Sequence, residues 1–79
     1  MPRFYFHVQG RQDPLTDEQG LVLPDAEAAW YQAVRSAREI IRDDLHLGCR
    51  FEDQIIEIAD ERGAPVAHIP LLEIARYAS

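Results

Sequence analysis

Hydrophobic and polar residues alternate at the start of the chain. Over residues 4–8 the apolar side chains occupy every second position, and Tyr5 and His7 stand between them. This period of two predicts a half-buried β-strand. A second short strand is predicted over residues 21–23, because Pro24 cannot continue a hydrogen-bonded ladder.

The middle of the chain has the periodicity of a long amphipathic helix. Asp25 is a typical N-cap, and Gly48 is a natural left-handed stop. Apolar residues between them recur at spacings of three and four, which predicts one helix over residues 26–47. The stripe consists of Ala26, Ala29, Trp30, Ala33, Ala37, Ile40 and Ile41.

Two further strands and a short helix complete the pattern. Apolar runs at residues 54–59 and 66–69 predict strands, and Pro70 precedes a short helical segment over residues 71–77. The order ββαββα predicts an α+β fold, in which two β-hairpins form a four-stranded, mainly antiparallel sheet packed on one long central helix. A short C-terminal helix follows. At 79 residues the chain has room for a single domain, residues 1–79.

The sequence D-E-x-G occurs twice, at residues 17–20 and 60–63, and each copy lies between two predicted strands. In a type I turn, an aspartate at the first position accepts hydrogen bonds from backbone N–H groups, and a glycine at the last position supplies a positive φ. The pattern therefore predicts two turns rather than an acid–base or metal site. Glu18 and Glu61 are expected to point into solvent.

Several motifs together resemble a known family. They are the opening M-P-R-F-Y-F-H, the D-E-Q-G followed by L-V-L-P-D, the alanine-rich helix, and the later D-E-R-G with I-P-L. They resemble a family of short bacterial proteins known only as a domain of unknown function, whose members open with M-P-R, two aromatic residues and F-H. The resemblance covers nearly the whole chain. It implies a small bacterial α+β protein and implies no activity or site residues.

Charge and cysteine content narrow the class of protein. The formal net charge is -6 and the pI is near 4.8, which argues against nucleic acid as a partner. The apolar N-terminal stretch is too short for a signal peptide or a membrane span, so we expect a cytoplasmic protein without a membrane partner. The single cysteine, Cys49, allows no intramolecular disulfide and indicates a reducing compartment.

The soft metal ligands of the chain are Cys49 and the three histidines, His7, His46 and His68. They lack the paired spacings of a zinc site, and the chain has no nucleotide-binding or nucleophile motif. We therefore predict no metal, no cofactor and no catalytic residue. Cys49 follows a helix C-terminus, whose dipole disfavours a thiolate, and it is expected to be a small buried residue.

A row of arginines lies on the predicted helix at Arg35, Arg38 and Arg42. Acidic residues interleave with this row, so the face is nearly neutral rather than a basic stripe that binds DNA. We interpret it as a solvated helix face with salt bridges. The interleaving acidic residues are Glu39, Asp43 and Asp44.

The outward face of the predicted sheet is the most informative surface. If Phe4 and its alternating partners meet the helix, then Tyr5, His7, Ile55 and Glu57 face outward, with one of the two alternating pairs in residues 66–69. A one-sided antiparallel sheet normally presents polar residues to water. Aromatic and aliphatic residues there more often mark an interface.

The length of the predicted helix gives a second indication. Its span of about 33 Å compares with an expected radius of gyration of about 12 Å. The end of the helix overhangs unless the C-terminal segment or a second subunit covers it. Both observations predict a homodimer. The candidate interface residues are Tyr5, His7, Ile55, Ile40, Ile41 and Leu45.

The pattern favours a non-enzymatic protein-interaction or regulatory module that acts as a homodimer, with a further protein partner left open. One alternative is an antitoxin-like regulator associated with nucleic acid, because a similar ββα arrangement occurs in such proteins. A second alternative is a small-ligand binder or enzyme that uses His7 and His68 on the sheet face.

Overall fold

The computed structural model describes residues 1–11 and 13–77. It confirms the α+β fold, with a four-stranded antiparallel sheet, one long helix and a short C-terminal helix. The elements in chain order are β1 (Arg3–Gln9), β2 (Leu21–Val22), α1 (Ala26–Leu47), β3 (Ile55–Ala59), β4 (Pro65–Pro70) and α2 (Leu71–Tyr77).

The strands are arranged in the order β2-β1-β3-β4, and all neighbours are antiparallel. Both predicted hairpins form, and β1 and β3 join them at the centre of the sheet. Phe6 lies opposite Ile58, and Val8 lies opposite Ile56. Because cross-strand partners share a face, the alternating apolar residues of both central strands point to the same side.

The two ends of α1 are fixed by the residues that the sequence indicated. Asp25 Oδ1 accepts a hydrogen bond from the Ala28 N–H at 2.8 Å, which satisfies one of the free donors of the first turn. At the other end Gly48 has a φ of 72°, and its N–H bonds to the carbonyl groups of Asp44 and Leu45. The helix therefore ends in a left-handed cap.

The core lies between α1 and the inner face of the sheet. Three alanines of α1, at positions 29, 33 and 37, are fully buried and allow the helix to approach the sheet closely. The largest fully buried side chains are Ile56, Ile58 and Leu71. Each contributes about 1.5–3 kcal/mol through removal of its apolar surface from water.

Several residues of α1 depart from the predicted pattern of buried and exposed positions. Ala26 is exposed, and Trp30 is 44% exposed. Trp30 borders an open cavity between α1, β4 and α2 instead of a packed layer. Asp44, which was assigned to the solvated face, is only 7% exposed. It follows Ala37 and Ile41 by seven and three residues, and this spacing places it on the buried stripe.

The remaining charged residues of that helix face are solvated, as predicted. Within residues 1–11 and 13–77 no salt bridge joins any of them, so the salt bridges expected on this face are absent from the described structure. The exposed residues are Arg35, Arg38, Glu39, Arg42 and Asp43.

The D-E-x-G segment at residues 60–63 forms a hydrogen-bonded turn, as predicted, whereas the segment at residues 17–20 forms a bend that the Asp17 carboxylate closes. Gly20 and Gly63 have φ values of 70° and 82°. The Asp17 and Asp60 carboxylates each accept two hydrogen bonds from N–H groups within their own turn segment. Glu61 is exposed but has a partner, because its Oε1 accepts the Arg3 N–H at 2.9 Å.

Candidate interaction surface

The sheet face opposite α1 carries a row of three polar side chains. His7 of β1 lies opposite Glu57 of β3, and Glu57 lies opposite His68 of β4. Glu57 Oε2 accepts a hydrogen bond from Gln9 Nε2 at 2.8 Å and lies 3.3 Å from His68 Nε2. The two strand histidines therefore flank one carboxylate that already has hydrogen-bond partners in the sheet.

The first turn holds the His7 ring in place. The Asp17 N–H donates to His7 Nδ1 at 3.0 Å, so the neutral ring carries its proton on Nε2. Asp17 Oδ2 accepts the Phe6 N–H at 3.1 Å, and Oδ1 accepts the N–H groups of Gln19 and Gly20. Burial raises the pKa of the Asp17 carboxyl, but these backbone hydrogen bonds and the nearby His7 outweigh burial and hold the pKa below its ordinary value.

Apolar side chains lie on both sides of the polar row. Tyr5 is on one side of it, and Ile55, opposite Pro70 of β4, is on the other. Tyr5, His7 and Ile55 are half-buried. In β1 and β3 the core residues that pack on α1 alternate with Tyr5, His7 and Ile55, so these three side chains lie on the opposite face of the sheet. Among the described residues no helix packs over that opposite face. The face is therefore mixed in character, and it has no helix over it, although Ala59 beside Tyr5 is buried.

The alternation in β4 resolves the pair that sequence analysis left open. Ile69 is buried in the core and Ala67 packs against it, whereas Val66 and His68 are exposed. The inward pair is therefore Ala67 and Ile69, and the outward pair extends the uncovered face across the fourth strand.

The edge of β4 is poorly suited to pairing with a further strand. Pro65 and Pro70 stand at its two ends, and the register shifts between Ile58 and Ala59 at the neighbouring strand. Prolines and bulges both blunt a sheet edge. The face of the sheet is therefore better suited to a contact than the β4 edge.

The three candidate residues at the end of α1 lie in different environments. Ile41 belongs to the core, Ile40 is half-buried against the core, and Leu45 is 65% exposed. Phe51 is buried in the same core, and Ala75 of α2 packs against it. The C-terminal segment therefore covers much of this helix end within one chain.

The possible metal ligands do not converge. His46 and Cys49 are exposed just before and after the end of α1, whereas His7 and His68 lie on the sheet face. In the described part of the chain no three His, Cys, Asp or Glu side chains form a group that could hold a metal ion. The expected burial of Cys49 is wrong: its N–H bonds to the Asp44 carbonyl just beyond the helix cap, and its side chain is exposed.

A buried polar pair near the end of α1, Asp44 and Gln54, was not predicted from the sequence. Gln54 Nε2 donates to Asp44 Oδ2 at 2.7 Å and to the Arg50 carbonyl at 3.2 Å, and Arg11 Nη1 donates to Gln54 Oε1 at 3.3 Å. These contacts join α1 to the loops before β2 and β3, so we interpret the pair as a structural clamp. The spacing of Asp44 from buried positions 37 and 41 was the signal that could have located it.

These features define a small α+β domain with one uncovered sheet face. A family model, described as a domain of unknown function (DUF6894), matches residues 3–73, and the chain belongs to this family. Comparisons with curated proteins and with solved structures gave no match. In the part of the chain that the structure describes, no helix combines the length and apolar character needed to cross a membrane.

Proposed function

We propose that the protein is a non-enzymatic interaction module that acts as a homodimer, with the outward sheet face as the contact between subunits. The observation that supports this proposal is the uncovered face itself, on which half-buried Tyr5 and Ile55 flank the row of His7, Glu57 and His68. Aromatic and aliphatic residues on the solvent side of a one-sided sheet favour contact with another surface.

The pattern of the face suits a second copy of the same chain. A two-fold axis that runs parallel to the strands, between β1 and β3, sets His7 of each subunit opposite the partner's Glu57. The same axis places the Tyr5 ring of each subunit over the partner's β3. Two-fold contacts use one patch twice, so complementarity within the patch is sufficient. Face-to-face sheets pack about 10 Å apart, which side chains of this size can fill.

Size-exclusion chromatography with light scattering tests the proposal. We expect the wild-type chain to elute at twice its monomer mass of 9.1 kDa at micromolar concentration. Tyr5→Ser should give a monomer, because it removes the ring from the contact. Tyr31→Ser is the matched control, since Tyr31 is 58% exposed on α1, away from the sheet face.

A wild-type monomer that persists over a hundredfold range of concentration contradicts the proposal. A dimer that survives both Tyr5→Ser and Ile55→Ser contradicts the assignment of the contact to the sheet face. Circular dichroism of each variant shows whether the fold is retained, so loss of the dimer can be separated from loss of structure.

A further inference from the structure

An apolar groove runs along α1 on the side that faces α2, and at one end it reaches His68 at the margin of the sheet face described above. Two cavities of about 360 and 370 Å³ form this groove, and Arg38 lies in the wall of both. On the α1 side the wall follows one stripe of the helix, and it spans about 22 Å at 1.5 Å per residue. The stripe consists of Trp30, Val34, Arg38, Ile41 and Leu45. We term this surface the α1–α2 groove.

Both ends of the α1–α2 groove carry exposed apolar side chains. Trp30 is 44% exposed at one end, and Leu45 is 65% exposed at the other. Ile74 and Ala75 of α2 provide the opposite wall and are only partly buried. A continuous apolar surface of this kind favours a contact site over ordinary exposure.

The charge of the α1–α2 groove is opposite to that of the whole chain. The net charge is -6, yet Arg38 borders both cavities and Arg42 borders the second. Neither arginine forms a salt bridge with any residue that the structure describes. Glu73 borders the first cavity and is the acidic residue in these two walls. Guanidinium groups beside an apolar groove favour a partner that carries carboxylates.

A second copy of the chain is a poor occupant for this groove. Arg38 lies near the midpoint between Trp30 and Leu45. If α1 packed on the partner's α1 along the whole groove, the two-fold axis would pass near Arg38, and the two Arg38 side chains would face each other. Like charges in contact oppose association, so the site suits a different protein.

We propose that the α1–α2 groove binds an acidic amphipathic helix of a partner protein. Val34 and Ile41 lie in the walls of different cavities and are seven residues apart, about 10.5 Å along α1, which is two helical turns. A bound helix can therefore place apolar residues at positions i and i+7 into the two cavities, while its carboxylates meet Arg38 and Arg42. Helices that lay an apolar face into a groove bind with this spacing.

Trp30 is the only tryptophan of the chain, so its fluorescence reports directly on the groove. The probes are two synthetic 16-residue helical peptides without tryptophan, with leucine at positions i, i+4, i+7 and i+11. One carries glutamate beside the leucines, and the other carries lysine at the same positions. We expect the acidic peptide to shift the Trp30 emission to shorter wavelength and to bind at least about fivefold more tightly than the basic peptide at low salt.

Charge reversal in the protein provides the matched test. Arg38→Glu should reverse the preference between the two peptides, whereas Arg35→Glu should leave it unchanged, since Arg35 is exposed on α1 outside both cavities. The proposal is overturned if neither peptide shifts the emission, if both bind equally, or if Arg38→Glu has no more effect than Arg35→Glu. Repeating the titration with Tyr5→Ser separates peptide binding from dimerisation, because His68 of the sheet face also borders the first cavity.

Discussion

The two D-E-x-G turns share a sequence but differ in their surroundings. At residues 60–63 the aspartate bonds only within its own hairpin connection: Gly63 N–H bonds to the Asp60 carbonyl at 3.0 Å, and Asp60 Oδ1 accepts the N–H groups of Arg62 and Ala64. At residues 17–20 the aspartate also reaches outside its own turn. Asp17 Oδ2 accepts the N–H of Phe6 in β1, and the Asp17 N–H bonds to the His7 ring.

The glycines of the two turns differ in the same way. A Cβ atom on Gly20 would lie 2.7 Å from the Phe4 carbonyl oxygen and 3.0 Å from the Tyr5 ring, whereas one on Gly63 would meet no atom within 4 Å. The first turn therefore packs closely against β1, whereas the second turn meets β1 only through the hydrogen bond from the Arg3 N–H to Glu61. In both places the aspartate of the motif accepts hydrogen bonds from N–H groups close to it in the chain. Whether the motif also bonds to β1 through its aspartate depends on where the segment lies in the fold.

The largest difference is expected for alanine at the two glycines. Gly63→Ala should destabilise the fold by about 1–2 kcal/mol through the positive φ alone. Gly20→Ala should destabilise it by about 2–5 kcal/mol, because steric overlap with β1 adds to the same backbone strain. Urea unfolding of both variants measures the difference. Equal losses would show that the first turn is no more enclosed than the second.

The two aspartates should differ less strongly. Asp17→Asn should lower the free energy of unfolding at neutral pH by about 2–3 kcal/mol, because an amide NH₂ then faces the Phe6 N–H. Asp60→Asn should lower it by less than about 1 kcal/mol, because the Asn Oδ1 still accepts both hydrogen bonds of the turn. Urea unfolding at neutral pH compares them.

Acid titration of stability tests whether the Asp17 carboxylate stabilises the fold in its charged form. The pKa of Asp17 is lower in the folded chain than its ordinary value of 3.8. Its stabilising effect is therefore complete above that value and is lost as the pH falls through it towards the folded pKa. The wild-type chain should lose stability over this range more steeply than Asp17→Asn. Parallel curves between about pH 7 and pH 2 would show that the Asp17 carboxylate does not provide this stabilisation.

The smallest effect concerns the two turn glutamates. Glu61→Ala removes the acceptor of the Arg3 N–H and should reduce stability by about 0.5–1 kcal/mol. Glu61→Gln keeps an acceptor oxygen and should behave as wild type. Glu18→Ala, at the equivalent exposed position of the first turn, should also be neutral. Thermal melts compare the three variants, and a neutral Glu61→Ala would show that the contact with Arg3 does not stabilise the fold.

Local signals explain why the fold could be predicted from the sequence. The alternation in β1 and the stripe of α1 each identify a buried face, and Asp25 and Gly48 mark helix ends through hydrogen bonds to nearby residues. The uncovered position of Tyr5, His7 and Ile55 follows from the same alternation.

Features that depend on distant contacts could not be predicted in the same way. The hydrogen bond from the Phe6 N–H to Asp17 requires the loop between β1 and β2 to lie along β1. The burial of Gln54 requires the loops before β2 and β3 to meet at the end of α1. The exposure of Trp30 depends on where α2 packs, since α2 forms the other wall of its cavity. None of these contacts produces a repeating pattern of apolar and polar residues in the sequence.

An isotope-filtered NMR experiment tests the proposed contact between sheet faces. Chains with ¹³C-labelled isoleucine are mixed with unlabelled chains, and nuclear Overhauser effects are recorded only between different chains. Because Ile55 pairs with Gln9 across β1 and β3, the two-fold axis predicts a cross-peak from the Ile55 methyl groups of one subunit to the Gln9 side chain of its partner. A dimer that lacks this cross-peak, and shows instead intermolecular contacts to the isoleucines of α1, would overturn the proposed contact.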